Sequence, residues 1–142
     1  MRTYEYRHVV TFEDTNLVGN VYYVNHLRWQ GRCRELFLRE HAPEVLDALC
    51  TGDLRLATVR CSCEYFQELE AFDEVVIRMR LGGLTQSRIV LRFDFVRVKD
   101  QGEQPIARGE QEVTCLGRTG NGFAPVPVPE PLREALRPYA EA

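Results

Sequence analysis

Residues 24–41 read VNHLRWQGRCRELFLREH and form one long stretch of helical character. On a wheel of about 100° per residue, Arg28, Arg32, Glu35 and Arg39 fall together as a solvated face. Trp29, Cys33, Leu36 and Phe37 cluster away from them. Leu27, Gly31 and Leu38 widen the apolar arc past half the helix. A helix that apolar needs a sheet wrapped round most of it.

The flanking segments read as that sheet. Upstream, residues 4–12 are rich in Tyr, Val, Thr and Phe and read as a strand. A polar segment, residues 13–20, leads into the helix. Downstream, Pro43-Glu44 opens a short second helix that Thr51-Gly52-Asp53 stops. Four strands follow, at residues 54–65, 73–81, 88–98 and 106–116. In the second of these Val75, Ile77, Met79 and Leu81 share one face and Arg78 and Arg80 the other. In the third, Ile89, Leu91, Phe93 and Phe95 share a face. Gly82-Gly83 and residues 99–104 are expected turns. Residues 117–131, with three Gly and four Pro, are an expected loop, and 131–139 a closing helix. Consecutive strands on short turns pair antiparallel, so the chain is one α+β domain, residues 1–142, with no internal repeat.

Composition narrows the function. The chain is long enough to bury roughly two-thirds of its unfolded surface without a disulfide or metal staple. A net charge of −3 gives no footprint of a nucleic-acid binder. Eighteen cationic residues include a single lysine, Lys99, so an arginine is informative only where its position is odd. No apolar run reaches the ~20 residues of a membrane span, and MRTYEYRHVV holds no apolar signal core, so the expected compartment is the cytoplasm. Five cysteines, Cys33, Cys50, Cys61, Cys63 and Cys115, read as reduced thiols. Cys61 and Cys63 share a strand face but have no second pair beside them. They read as core thiols, and no metal or other cofactor is expected.

Two features break the pattern. His26, Gln30 and Arg34 stand at i, i+4 and i+8 inside the apolar arc. A buried arginine must be paired or serve a ligand. Either Arg34 pairs with a carboxylate such as Glu64 or Glu110, with His26 capping the helix, or the stripe faces a substrate. Gly31 would let a strand or a ligand approach the helix backbone. The second feature is the run from Glu13 to Tyr22. Either Asp14 and Asn20 cap the helix, or backbone N–H groups near Gly19, Asn20, Val21 and Tyr22 hold an oxyanion, with Asn16 supplying an amide.

The run EDTNLVGNVYYVNHLRW, from Glu13 to Trp29, resembles the signature of hotdog-fold thioesterases of the 4-hydroxybenzoyl-CoA thioesterase type. Asp14, Thr15, Gly19, Tyr22 and Asn25 match its pattern. The strand order matches too, which implies an antiparallel sheet of about five strands round one long helix. Where the family carries its catalytic carboxylate, this chain has Asn16. With VGNVY after it and WQGRCREL in the helix, the chain is similar to the thioesterases of enediyne antibiotic pathways. Those act on a polyene held on the acyl carrier protein domain of an iterative polyketide synthase.

The resemblance implies catalysis by Asn16 and Arg34, with His26 where the subfamily has a tyrosine. It implies substrate contacts from Gly19, Asn20, Val21, Tyr22, Asn25 and Gln30, and a homo-oligomer of paired sheets, as dimer or tetramer. The implied reaction hydrolyses a β-keto polyene thioester, with decarboxylation of the acid released. A general acyl-CoA thioesterase and a non-catalytic acyl-binding protein are the rival readings. An Asp14/His26 pair would instead suit a hydratase.

Overall fold

The computed structural model describes residues 1–141. Strand β1 (Tyr4–Val9) precedes helix α1 (Val24–His41) and helix α2 (Pro43–Thr51). Strands β2 (Leu54–Tyr65), β3 (Glu74–Leu84), β4 (Arg88–Lys99), β5 (Gly102–Thr119) and β6 (Gly122–Pro125) follow, then helix α3 (Glu130–Leu136). The strands form one antiparallel sheet in the order β1-β3-β4-β5-β2, and β6 pairs with the end of β5.

The alternation expected from sequence sets the two faces of this sheet. Val75, Ile77, Met79, Leu91, Phe93 and Phe95 are buried. They meet Trp29, Cys33, Phe37 and Leu38 of α1 in a single core. The opposite face carries ion pairs. Arg78 bridges Glu5 and Glu103, Arg80 meets Asp94, and Arg92 joins Glu110 and Glu141. The curled antiparallel sheet round α1 is the hotdog arrangement. None of the helices is long and apolar enough to cross a membrane among the described residues.

Several boundaries differ from the sequence reading, each for a tertiary reason. β1 stops at Val9, because Thr11 caps a 3-10 turn over Phe12–Asp14. Gly82-Gly83 is not a turn. It lies within β3 at a bulge, where a Cβ on Gly82 would come within 3.0 Å of the Arg92 guanidinium. β5 is longer than expected at both ends, and the Pro-rich segment after it contains β6. That segment is held down by Val126, which packs where a Cβ on Gly117 would be.

β2 is an edge strand, so Val59, Cys61 and Tyr65 are exposed. Cys61 is therefore not a core thiol, whereas Cys63 is half-buried and packs against the core. Cys33 and Cys115 are the buried pair.

Candidate active site

Helix α1 lays the three polar side chains of its apolar arc against the sheet. His26 is 3% exposed and Gln30 is fully buried. Neither ring nitrogen of His26, neither amide atom of Gln30, nor the Nε of Arg34 has a hydrogen-bond partner among the described residues. Each such group costs roughly 1–3 kcal/mol when left unmade. Three in a row, four residues apart, mark a line of unpartnered polar groups along the helix.

His26 sits in an aromatic box. Its ring is 5.3 Å from Trp29, 4.8 Å from Tyr65 and 5.5 Å from Phe95, centroid to centroid. Burial pushes its imidazole down to about 4; the Tyr23 carbonyl, which accepts from the Tyr65 hydroxyl at 2.7 Å and is outside hydrogen-bond reach of the ring, opposes this to a smaller degree. The ring is therefore neutral at neutral pH. It does not cap α1, whose first turn has no side-chain cap.

Arg34 meets neither Glu64 nor Glu110. Glu110 is taken by Arg60 at 2.8 Å and by Arg92 at 3.1 Å. Arg34 instead donates from Nη1 to the Gln111 Oε1 at 3.3 Å. Burial lowers its pKa, and Glu35 opposes that to a smaller degree. Arg34 lines an open cleft of about 480 Å³ between α1, α2 and β2, walled mostly by leucines of these elements together with Cys50, Glu35 and Arg39.

The loop before α1 is held by one carboxylate. Asp14 Oδ2 accepts from the Thr11 N–H at 3.0 Å and pairs with His8 Nε2 at 2.9 Å. The Asp14 carbonyl accepts from Tyr22 N–H at 3.0 Å and from Asn25 Nδ2 at 2.8 Å. Asp14 is thus a loop clasp, and its imidazole partner is His8 rather than His26. Asn25 serves the same clasp. Asn16 is exposed, and its Oδ1 accepts from the Val18 N–H at 3.1 Å. Gly19 closes this turn at φ 93°, a conformation that favours glycine.

Of the four backbone donors expected from the sequence, the Asn20 N–H alone has no carbonyl partner among the described residues. The N–H groups of Gly19, Val21 and Tyr22 are engaged by Asn16, Leu69 and Asp14 carbonyls. Those of Tyr23 and Val24, at the opening of α1, have no such partner among the described residues. Arg34 lies ten residues further along α1, about 15 Å at the usual helical rise. No hydrogen bond joins Asn16 to the stripe in one chain. Asn20 is partly buried with its Oδ1 unpartnered.

Three residues of this site escaped the sequence reading. His8 is one. Gly109 is the second: a Cβ there would stand 1.8 Å from Gln30 Oε1. This, not Gly31, is the close approach to α1, since a Cβ on Gly31 would meet nothing within 4 Å. Gln111 is the third, and it had a visible signal. It is a polar residue at an inward position of β5, between buried Gly109 and Val113. No group of three His, Cys, Asp or Glu side chains is placed to hold a metal among the described residues.

The thioesterase-like superfamily pattern matches residues 10–136. The chain is 30% identical over 105 residues to a 1,4-dihydroxy-2-naphthoyl-CoA hydrolase of Prochlorococcus marinus (strain NATL2A). That match covers 69% of this chain and about two thirds, 66%, of the hydrolase. Among solved structures it is similar to the Dynemicin thioesterase, whose crystal structures reveal induced-fit and allosteric effects upon polyene binding. Here the identity is 50%, the TM-score 0.94 and the coverage 99% of both chains. A 1,4-dihydroxy-2-naphthoyl-CoA thioesterase from Synechocystis shares the fold at 20% identity and TM-score 0.84, over 96% of each chain. With a pattern spanning nearly its whole length laid on a curled sheet round one helix, this chain belongs to the thioesterase-like superfamily of hotdog proteins.

Proposed function

We propose that the protein is a thioesterase that releases a β-keto polyene from the acyl carrier protein of an iterative polyketide synthase of the enediyne type. The observation that carries this is Arg34: a half-buried cation hydrogen-bonded to a neutral partner, lining a cleft walled largely by leucines. Such a group favours a substrate that is apolar along its length and turns anionic where it reacts. The 50% identity to the Dynemicin thioesterase supports the same substrate class.

In this reading the acyl chain occupies the leucine-walled cleft, and the β-keto thioester end lies along the stripe. Asn16 orients the attacking water or the thioester oxygen. Water adds to the carbonyl carbon, the C–S bond breaks, and the thiol of the carrier takes a proton. Donors at the opening of α1 and the Gln30 amide hold the oxygens of the reacting end. Arg34 stabilises the oxyanion or the β-keto enolate, a contribution of roughly 2.7–4 kcal/mol for one well-placed donor. His26, neutral at working pH, acts as a hydrogen-bonding group rather than a stored proton. The β-keto acid then loses CO₂, and the enolate left behind is protonated to a methyl ketone.

A second copy of the chain completes the site. About 15 Å of helix separates the opening of α1 from Arg34, and edge strand β2 presents Val59, at 47% exposure, to a partner. Sheets paired along β2, in a dimer or a dimer of dimers, would bring the loop of one protomer to the helix of the other.

The test is a reconstitution of a polyene-forming synthase with and without the protein, followed by HPLC. A free polyene ketone that appears only with the protein is the expected result. Synthase-bound polyene that is retained while simple acyl-CoA is hydrolysed would favour a general acyl-CoA thioesterase. No release from either would indicate an acyl-binding protein.

A further inference from the structure

We propose that Gln111 is a positioning residue that holds the Arg34 guanidinium without adding a compensating charge. This rests on the reading of Arg34 as the group that meets the anionic reacting centre. Gln111 is 6% exposed on β5, facing α1, and its Oε1 accepts from Arg34 Nη1 at 3.3 Å. Its neighbours in sequence are both glutamates, and both face the other side of the sheet. Glu110 is bound by Arg60 and Arg92, and Glu112 by Arg88 at 2.6 Å. So in Glu110-Gln111-Glu112 the two outward carboxylates are paired with arginine. The one inward residue, also beside an arginine, is the neutral isostere.

A carboxylate at position 111 would make a buried ion pair with Arg34 and cancel the field that an enolate or oxyanion needs. An amide gives a single acceptor that aims the guanidinium and leaves its positive charge for the substrate. The unpartnered Nε of Arg34 fits this, because that donor is left for another acceptor.

The decisive comparison is Gln111→Glu against Gln111→Met and Arg34→Met, assayed with β-ketoacyl-CoA and with polyene-loaded carrier protein. A glutamate oxygen still accepts the Arg34 hydrogen bond, so a residue needed only for packing or bonding would be rescued by it. We expect Gln111→Glu to fold with a melting temperature at or above that of the parent. Its kcat should fall about 100-fold with KM changed less than about threefold. Gln111→Met, which keeps the charge but loses the aim, should lose about tenfold in kcat. Gln111→Glu or Gln111→Met with kcat within threefold of the parent, beside an inactive Arg34→Met, overturns the role of Gln111 alone. An active Arg34→Met overturns the reading of Arg34 and this role with it.

Discussion

The amide oxygen of Gln30 on α1 lies 1.8 Å from where a Cβ on Gly109 of β5 would stand. The helix therefore presses a polar side chain into a gap that only glycine leaves open. A Gly109→Ala substitution must displace Gln30 or part α1 from the sheet. Overpacking of this kind costs roughly 1–3 kcal/mol. Chemical denaturation should show a loss in that range, and thioester turnover should fall with it. A variant as stable and active as the parent would mean that Gln30 can leave the stripe without consequence.

Arg34 is a half-buried charge held by one neutral acceptor, so its removal should separate stability from activity. Arg34→Met replaces it with an apolar chain of similar length. Replacing buried ionic groups by packed apolar ones is often neutral or stabilising. The expected outcome is an unchanged or raised melting temperature with turnover down about 10²–10³-fold. Calorimetry and single-turnover release of a β-keto thioester check the two halves independently.

Asn16 sits in a turn that aspartate can also close, since its side-chain oxygen accepts from the Val18 N–H. Asn16→Asp should fold normally. On simple acyl-CoA its gain should stay far below the roughly 10²–10⁴-fold that a general base supplies. A gain of that size would show an ordinary thioesterase site lacking a single group.

His26 makes acid stability predictable. Its folded pKa is lowered to about 4 from 6.5. Between those values the unfolded chain binds a proton that the folded chain refuses. Stability from this group is therefore present above pH 6.5 and lost as pH falls through 4. The change amounts to roughly 3 kcal/mol. His26→Phe fills the same aromatic box without titrating. Denaturation curves across that window should be flatter for the variant than for the parent, and parallel curves would refute the assignment.

Asp14 clasps the loop through His8 and Thr11, and Asp14→Ala strands both donors. A loss of roughly 1–3 kcal/mol is expected. Protease nicking within residues 13–23 should increase before global unfolding does. Resistance to nicking at parental levels would show that the loop is held by its backbone bonds alone.

The sequence by itself determined the phase of α1, the alternation of β3 and β4, and the anomaly of His26, Gln30 and Arg34. These follow from helical and strand periodicities, which are local. Asn16 and the loop around it were legible for the same reason, as a motif of contiguous residues. The tertiary structure decided what faces them. Arg34 meets Gln111 from 77 positions away, and neither glutamate considered from the wheel pairs with it among the described residues. Gly109 under Gln30, His8 on Asp14 and the bulge at Gly82 all depend on strand register and packing. The same holds for the N–H groups of Gly19, Val21 and Tyr22, which looked free in the sequence but are used within the loop and by Leu69. Which groups stay unpaired is settled only after every neighbour has been placed, and those unpaired groups define the site.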